Sequence, residues 1–292
     1  MVRAGIDLGG TKIEAIALDD AGQTLACKRI STPSGYDAAI RAVAGLVTDF
    51  ERQDGPIGRV GVGHPGSASP ATGLIRGANS TWLNGRDFRS DLSAALGRPT
   101  RFANDADCFA MAEATDGAGA GCRTVFGVIL GTGVGGGIVI DGQLHSGAQN
   151  IAGEWGHTAL PRLTEEEYPG PDCWCGQVSC VEAWLSGPGI AAEHESRTGR
   201  QTDSAAILAG PAEVEIYAGR LARALSTVVN ILDPDAIILG GGVSNTAGLP
   251  EAVETALRDQ VFSDVLNTRV LRHKHGDASG VRGAAMLWSA KE

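Results

Sequence analysis

Glycine-rich turns that follow apolar runs constrain this chain more than any other feature of its sequence. Three stretches, DLGGT (7–11), LGTGVGGG (130–137) and LGGGVS (239–244), each come directly after a run of apolar and β-branched residues. With 42 glycines in 292 residues, the chain has about twice the usual share of ~7%, but the excess is neither periodic nor evenly spread. This placement predicts tight turns at strand ends, where backbone N–H groups can approach an anion with no Cβ in the way.

The first two glycine turns lie in segments with the same pattern. Residues 4–22 and 124–143 each read as strand, glycine turn, strand and acid-glycine turn. We interpret this as an internal duplication and predict an α/β fold of two lobes. The lobes are expected at residues 1–118 and 119–276, divided within DGAGAGCR (116–123), and a C-terminal helix over about 277–292 is expected to pack back on the first lobe.

The glycine turns are candidate phosphate-binding sites for a nucleotide. The G-x-G-x-x-G pattern at 131–136 is not a dinucleotide fingerprint, because a strand follows it where a helix is required, and the sequence contains no Gly-Lys dipeptide for a Walker loop. Asp7, at the end of the first strand, is expected to hold a metal-bound water. Each turn alone could be an ordinary hairpin. The predicted nucleotide-binding residues are Gly9, Gly10, Thr11, Lys12, Gly131, Thr132, Gly133, Gly135, Gly241 and Gly242.

Charge and hydropathy exclude several classes of protein. A net charge of −10 argues against a surface for nucleic acid or anionic membrane. No run approaches the ~18 apolar residues of a membrane helix, and the chain opens on a strand-like run and not on an apolar signal segment. We therefore expect a cytoplasmic protein that binds neither nucleic acid nor membrane.

A cluster of cysteines stands near the middle of the chain. His157, Cys173, Cys175 and Cys180 have the spacing H-x15-C-x-C-x4-C, and one imidazole with three thiolates fills a tetrahedral zinc site with no open position. We predict a structural zinc ion that fixes an irregular loop. Three free thiols or a redox pair are the alternatives, whereas a disulfide is disfavoured because cytoplasmic thiols stay reduced.

Other cysteines and one histidine are expected to have structural roles only. Cys27, Cys108 and Cys122 are scattered through helix and strand contexts and are interpreted as small apolar core residues. His64 is interpreted as a loop residue.

Four motifs together carry a resemblance to a known family. IDLGGTK, LGTGVGGG, GEWGH with the cysteine cluster, and ILGGGVS resemble the ROK family of sugar kinases over essentially the whole chain. The resemblance implies an actin-like ATPase (ribonuclease-H-like) fold, with duplicated βββαβαβα lobes around a cleft. It also implies ATP with Mg²⁺ as phosphoryl donor, a hexose as acceptor, structural zinc, and a homodimer. Ser179 replaces the second glycine of the family's C-x-C-G-x-x-G-C pattern, while all the ligands are present.

The same resemblance assigns a sugar site. It implies that Asp105, in RFANDADC, is the catalytic base, although Asp105 or Asp107 could instead cap the helix that starts there. The residues implied to bind the sugar are Gly66, Asn79, Asn104, Asp105, Glu154, His157 and Glu182.

The preferred sugar is a finer expectation. GANSTWLNG and HGDASGVRGAA resemble the manno(fructo)kinase members of the family, which implies phosphorylation of D-fructose, and more slowly of mannose, at the 6-hydroxyl. A glucokinase or N-acetylhexosamine kinase is the alternative. More distant alternatives are a sugar-binding regulator without catalysis, which would carry an N-terminal helix-turn-helix, and an actin-like chaperone or structural ATPase.

Overall fold

The structure is a computed structural model that describes residues 2–78 and 80–288. Its first half is built around a five-stranded sheet with the order β3-β2-β1-β4-β7. The strands are β1 (Val2–Leu8), β2 (Lys12–Leu18), β3 (Thr24–Ser31), β4 (Ile57–His64), the short pair β5 (Ser67–Ala68) and β6 (Ile75–Arg76), which lies outside the sheet, and β7 (Thr100–Asn104). The helices are α1 (Tyr36–Asp54), α2 (Phe88–Leu96) and α3 (Asp105–Thr115).

The second half repeats this arrangement in a sheet with the order β10-β9-β8-β11-β12. The strands are β8 (Thr124–Leu130), β9 (Val134–Ile140), β10 (Gln143–Leu144), β11 (Ala236–Gly240) and β12 (Arg269–Arg272). The helices are α4 (Val181–Leu185), α5 (Gly187–Thr198), α6 (Ser204–Ile207), α7 (Pro211–Leu232), α8 (Leu249–Leu257) and α9 (Ser279–Met286).

The two sheets share one topology. β1 pairs antiparallel with β2 and parallel with β4, and β8 pairs antiparallel with β9 and parallel with β11. A tight glycine turn closes each first hairpin, because β1 ends at Leu8 and β2 begins at Lys12, while β8 ends at Leu130 and β9 begins at Val134. The duplicated α/β fold predicted from the sequence is therefore confirmed.

Hydrophobic burial explains the main elements. One face of α1 buries Val43, Leu46, Val47 and Phe50 against the first sheet, as its helical spacing predicts. β11 is buried along its whole length, as a parallel strand covered on both faces requires.

The prediction that the three scattered cysteines lie in the core is wrong for one of them. Cys108 is buried and Cys122 is half-buried, but Cys27 is exposed. It lies on β3, an edge strand of the first sheet, where only one side can be covered by a neighbouring strand.

Two helices connect the sheets. α3 follows the last strand of the first sheet but contacts β8 and β9, and α9 follows the last strand of the second sheet but contacts β1 and β4. α9 lies very close to β4, because a Cβ on Gly61 would come within 1.7 Å of the Ala284 carbonyl oxygen. α3 and α9 also pack on each other. We propose residues 1–118 and 119–276 as the two lobes, with α9 covering the first sheet.

Within the ranges 2–78 and 80–288, no helix combines the length and the apolar character that crossing a membrane would require.

Candidate active site

A cavity of ≈ 910 Å³ brings together most of the predicted sugar-site residues. They come from segments that are far apart in the sequence, which meet where strand ends of the two sheets face each other. The predicted residues that line it are Gly66, Asn104, Asp105, Thr132, Gly133, Gly135, Glu154, His157, Cys173 and Glu182. Asn79, the remaining predicted sugar-binding residue, lies outside the described residues.

A second cavity of ≈ 1070 Å³ adjoins the first at Thr132 and Pro188. Its walls include Gly131 and Gly242, two of the predicted nucleotide-binding glycines. Helices α5, α6 and α7 and the 3₁₀ turn at Gly242–Asn245 form the rest of it. The two cavities therefore meet at the second glycine turn and the start of α5.

The first glycine turn lines neither of these two cavities. Asp7, Gly9, Gly10, Thr11, Lys12 and Gly241 are absent from both walls. The charge of Asp105 nevertheless affects Asp7: burial and, after it, the Asp105 carboxylate raise the pKa of Asp7 to about 6, and Lys12 opposes this rise. The two carboxylates are thus electrostatically coupled across the site.

Asp105 is the first residue of α3, but it is not the cap of that helix. The N-cap is Asn104, whose side-chain oxygen accepts the Asp107 N–H at 2.6 Å. Asp105 Oδ1 accepts the Ala106 N–H at 2.9 Å, and the side chain borders the cavity. Burial raises the pKa of Asp105, and the N–H groups at residues 105 and 106 oppose that rise. A carboxylate in this environment is a stronger base than one in water.

Asp107 is a buried carboxyl that the sequence offered only as a possible cap. It is 8% exposed, and its Oδ1 has no hydrogen-bond partner within the described part of the chain. The pKa of Asp107 is raised to about 7, mainly by burial and in part by the nearby charges of Asp105 and Glu154, while the Asn104 N–H opposes the rise. An apolar residue is usual at a buried helix position such as this one. In the sequence, only the spacing N-x-x-D between Asn104 and Asp107 indicated a polar role.

His64 is not the loop residue that the sequence suggested. It ends β4 and is fully buried, with its ring 5.6 Å from that of Phe88 and 6.2 Å from that of Phe102. Burial lowers the pKa of His64 to about 4, so the ring is neutral at neutral pH. The sequence does not show this, because the apolar run ends before His64, whereas the strand includes His64.

Glu154 precedes a 3₁₀ turn at Trp155–His157, and His157 is the last residue of that turn. The indole N–H of Trp155 donates to the Gly135 carbonyl oxygen at 2.9 Å, which ties this turn to β9 and the second glycine turn. Burial raises the pKa of Glu154, His157 opposes that rise, and the neighbouring Asp105 adds to it. Four acidic residues line the cavity: Asp105, Glu154, Asp172 and Glu182.

Glu182 joins the cysteine-containing loop to the second glycine turn. Its Oε2 accepts the Val134 N–H at 2.9 Å, and its Oε1 accepts the indole N–H of Trp174. Glu182 lies so close to the turn that a side chain at Gly133 would not fit, because its Cβ would lie 2.7 Å from Glu182 Oε2. Trp174 was not predicted as a site residue, because nothing in the sequence around it distinguishes a tryptophan that borders a cavity from one that does not.

The predicted zinc ligands come together in space. The ligand atoms of His157, Cys173, Cys175 and Cys180 all lie within 4.8 Å of one another. Cys173 Sγ is 3.7 Å from His157 Nδ1, and Cys175 Sγ is 3.6 Å from Cys180 Sγ. Ligands about 2.3 Å from a tetrahedral zinc ion would be separated by about 3.8 Å, so this set fits such an ion.

The chain matches one protein family over almost its whole length. The sequence profile of the ROK family matches residues 3–291. The chain is 38% identical over 296 residues to the N-acetyl-D-glucosamine kinase of Salmonella paratyphi C and 39% identical over 301 residues to that of Shigella boydii serotype 4. Each alignment covers 97% of this chain and 98% of the relative.

Two solved structures of ROK family proteins resemble this chain along almost its whole length. A ROK hexokinase from Thermus thermophilus superposes with a TM-score of 0.86 at 30% identity, covering 98% of this chain and 97% of that one. A ROK family glucokinase from Streptomyces griseus, solved with glucose and AMPPNP, gives a TM-score of 0.78 at 25% identity and covers 98% and 99% of the two chains. Since the profile and these relatives span almost the whole chain, the protein belongs to the ROK family and is a sugar kinase.

Proposed function

We propose that the protein transfers the γ-phosphoryl group of ATP to the 6-hydroxyl of N-acetyl-D-glucosamine. The observation that carries this choice of sugar is the identity of 38–39% to N-acetyl-D-glucosamine kinases over 97% of the chain. These relatives favour the N-acetylhexosamine alternative over D-fructose, the sugar expected from two short motifs. A whole-chain match outweighs a local one because the residues that select a sugar are scattered along the chain.

In this proposal the ≈ 910 Å³ cavity binds the sugar and the adjoining cavity binds the adenosine part of ATP. The phosphates would then lie along the second glycine turn at Gly131–Gly133, where the cavities meet. Phosphoryl transfer requires mainly positioning and charge neutralisation, with a base near the acceptor hydroxyl. Mg²⁺ would enter with ATP and neutralise phosphate charge, and Asp7 is the residue proposed to hold its water.

Asp105 is the proposed base. Its carboxylate borders the sugar cavity and has a raised pKa, so it can accept the proton of the 6-hydroxyl while the hydroxyl oxygen bonds to the γ-phosphorus and the bond to ADP breaks. Asn104, Glu154, His157 and Glu182 are proposed to hold the other sugar hydroxyls, because they supply polar groups around the same cavity.

The four-residue cluster is proposed to hold structural zinc. Three thiolates and one imidazole leave no open position for a reacting water, so the ion would supply folding free energy to the loop and no chemistry. Glu154 and Glu182 both lie within three residues of a ligand in sequence. Fixing the ligands therefore fixes the backbone that carries the proposed sugar contacts.

A coupled ADP-release assay tests the function. We expect kcat/KM with N-acetyl-D-glucosamine to exceed that with D-fructose, D-mannose and D-glucose by at least about tenfold, which corresponds to about 1.4 kcal/mol of transition-state binding. A higher kcat/KM with D-fructose would restore the expectation from the short motifs and overturn this proposal. Phosphate position on the product, read by NMR, tests the 6-hydroxyl.

A further inference from the structure

An exposed tryptophan stands at the edge of the sugar cavity. Trp174 is 74% exposed and lines the cavity that also contains Asp105. Ile151, another apolar side chain of the same wall, is 45% exposed. Large apolar side chains left in water next to a polar cavity are typical of binding surfaces, because an indole offers a broad apolar face and one N–H donor.

The indole is held by Glu182. Its N–H donates to Glu182 Oε1, while Glu182 Oε2 accepts the Val134 N–H. The ring also meets that of His157 edge to face, with centroids 5.0 Å apart. Each oxygen of the carboxylate that we propose as a sugar contact therefore accepts one hydrogen bond from the protein.

The backbone on both sides of Trp174 is anchored more firmly than its side chain. Cys173 and Cys175 are two members of the proposed zinc site, and the Cys173 N–H and carbonyl group bond to Gln177 and Gly176. Within the described residues, the indole has one hydrogen bond and one ring contact, both with residues that line the cavity. Only rotation of the side chain is needed to free Glu182 Oε1.

We propose that Trp174 contacts the sugar directly: a sugar hydroxyl takes its place on Glu182 Oε1, and the released indole lies against the apolar face of the bound sugar ring. This inference rests on the proposed function of the cavity as the acceptor site. The exchange replaces one hydrogen bond to a carboxylate with another, so it costs little. The gain is the contact between the indole and the sugar's C–H groups, which removes exposed apolar surface from water.

Intrinsic fluorescence and two substitutions test the inference. In the absence of nucleotide, N-acetyl-D-glucosamine should change the tryptophan emission of the wild type in a saturable way, and Trp174→Phe should lose most of that change. Trp174→Phe keeps a ring, so its KM for the sugar should stay within about threefold of wild type. Trp174→Ala should raise that KM about tenfold, as expected for an aromatic contact of about 1.4 kcal/mol, with the KM for ATP and the zinc content unchanged.

Trp288→Phe is the matched control. This tryptophan lies away from the cavity, with its indole N–H on the Val60 carbonyl oxygen, and its substitution should preserve both the emission change and the KM. A full emission change in Trp174→Phe, or a wild-type sugar KM in Trp174→Ala, would overturn the inference. If Trp174→Ala does not fold, the emission of Trp174→Phe decides.

Failure of the proposed function gives a different result. If the wild type turns over D-fructose, D-mannose or D-glucose but not N-acetyl-D-glucosamine, the choice of sugar is wrong, and the same titration with the sugar that is turned over still tests Trp174. A wild type that turns over none of the four sugars contradicts the acceptor site itself.

Discussion

Asn104 and Asp107 hold each other's backbone N–H groups at the start of α3. The Asn104 side-chain oxygen accepts the Asp107 N–H at 2.6 Å, and the Asp107 carboxylate accepts the Asn104 N–H. This reciprocal pair is a capping box, in which two otherwise unpaired donors of the first turn are satisfied. Asp105 lies between the two residues, so the box fixes the backbone that directs its carboxylate toward the cavity.

Asp105→Asn separates a catalytic role from a structural one. Asparagine keeps the shape of the side chain and can still accept the Ala106 N–H, but it cannot accept a proton. We expect kcat to fall about 10²–10⁴-fold, with the sugar KM, zinc content and melting temperature close to wild type.

Asp87→Asn is the control for Asp105→Asn. Asp87 also stands at the start of a helix, where its side chain accepts the Ser90 N–H at 3.4 Å, but it is remote from the cavity wall. Its kcat should be unchanged. A wild-type kcat in Asp105→Asn would contradict the base assignment, and a large fall in its melting temperature would indicate a structural role.

Asp107→Asn should change how stability depends on pH. Because the pKa of Asp107 is raised from 3.8 to about 7, the folded protein retains a proton that the unfolded chain has lost, and stability falls as pH rises across that interval. The uncharged asparagine removes this fall. From pH 5 to pH 8, we expect the free energy of unfolding of Asp107→Asn to rise relative to that of wild type by at most about 3 kcal/mol. Urea unfolding at the two pH values measures this difference.

Two substitutions serve as controls for this pH dependence. The exposed Asp259→Asn should show the same stability difference from wild type at both pH values. Asp107→Ala, which cannot complete the capping box, should lose about 1 kcal/mol at pH 5 and also lower kcat, because Asp105 is then less well oriented. A pH-independent difference between Asp107→Asn and wild type would exclude the raised pKa.

The duplicated fold could be predicted because its signals are local. A glycine turn between two apolar runs specifies a hairpin without help from the rest of the chain, and the repeat of 4–22 in 124–143 then implies the second sheet. The cysteine cluster was predictable for a related reason, since zinc ligands fix their own spacing.

Trp174, Asp107 and His64 could not be assigned in this way, because their environments depend on how the chain packs and not on a local pattern of residues. Trp174 bonds to Glu182 at the cavity wall, and His64, on strand β4, packs against Phe88, which follows it by 24 residues and begins α2. An exposed indole and a buried polar ring violate the usual burial pattern, and only the assembled structure shows which neighbours compensate.

Cys175→Ser tests the metal site. Serine cannot replace a thiolate ligand at neutral pH, so we expect zinc to fall from about one ion per chain to a small fraction of that. The melting temperature should drop and the sugar KM should rise, since the loop that carries Trp174 and precedes Glu182 loses its anchor. Elemental analysis and melting curves provide the measurement.

Cys27→Ser is the matched control for the metal site. Cys27 is an exposed cysteine on β3, and its substitution should leave zinc content and sugar KM unchanged. Wild-type protein purified without added chelator and containing no zinc would contradict the site.

Glu167→Gln tests how α7 holds the loop that leads to the cysteine cluster. Glu167 is 8% exposed, and its Oε1 accepts hydrogen bonds from Arg220 at 2.8 Å and Arg223 at 2.7 Å, both on α7. Its Oε2 accepts the Thr164 N–H at 3.0 Å. Burial by itself would raise the pKa of Glu167, but the two arginines hold it at about 2, which shows that the folded protein favours the charged form.

Loss of the Glu167 charge removes the carboxylate that the guanidinium groups of Arg220 and Arg223 share. Nearby water partly screens the interaction between these charges. We expect a cost of about 1–3 kcal/mol at pH 7. The folded pKa is depressed, so this contribution is complete above the unfolded value near 4.5 and disappears as pH falls toward 2. The stability difference between wild type and Glu167→Gln should therefore be constant from pH 8 to 5 and shrink below that. Glu165→Gln, an exposed neighbour, should have no effect, and an equal effect of both substitutions would contradict the role of Glu167.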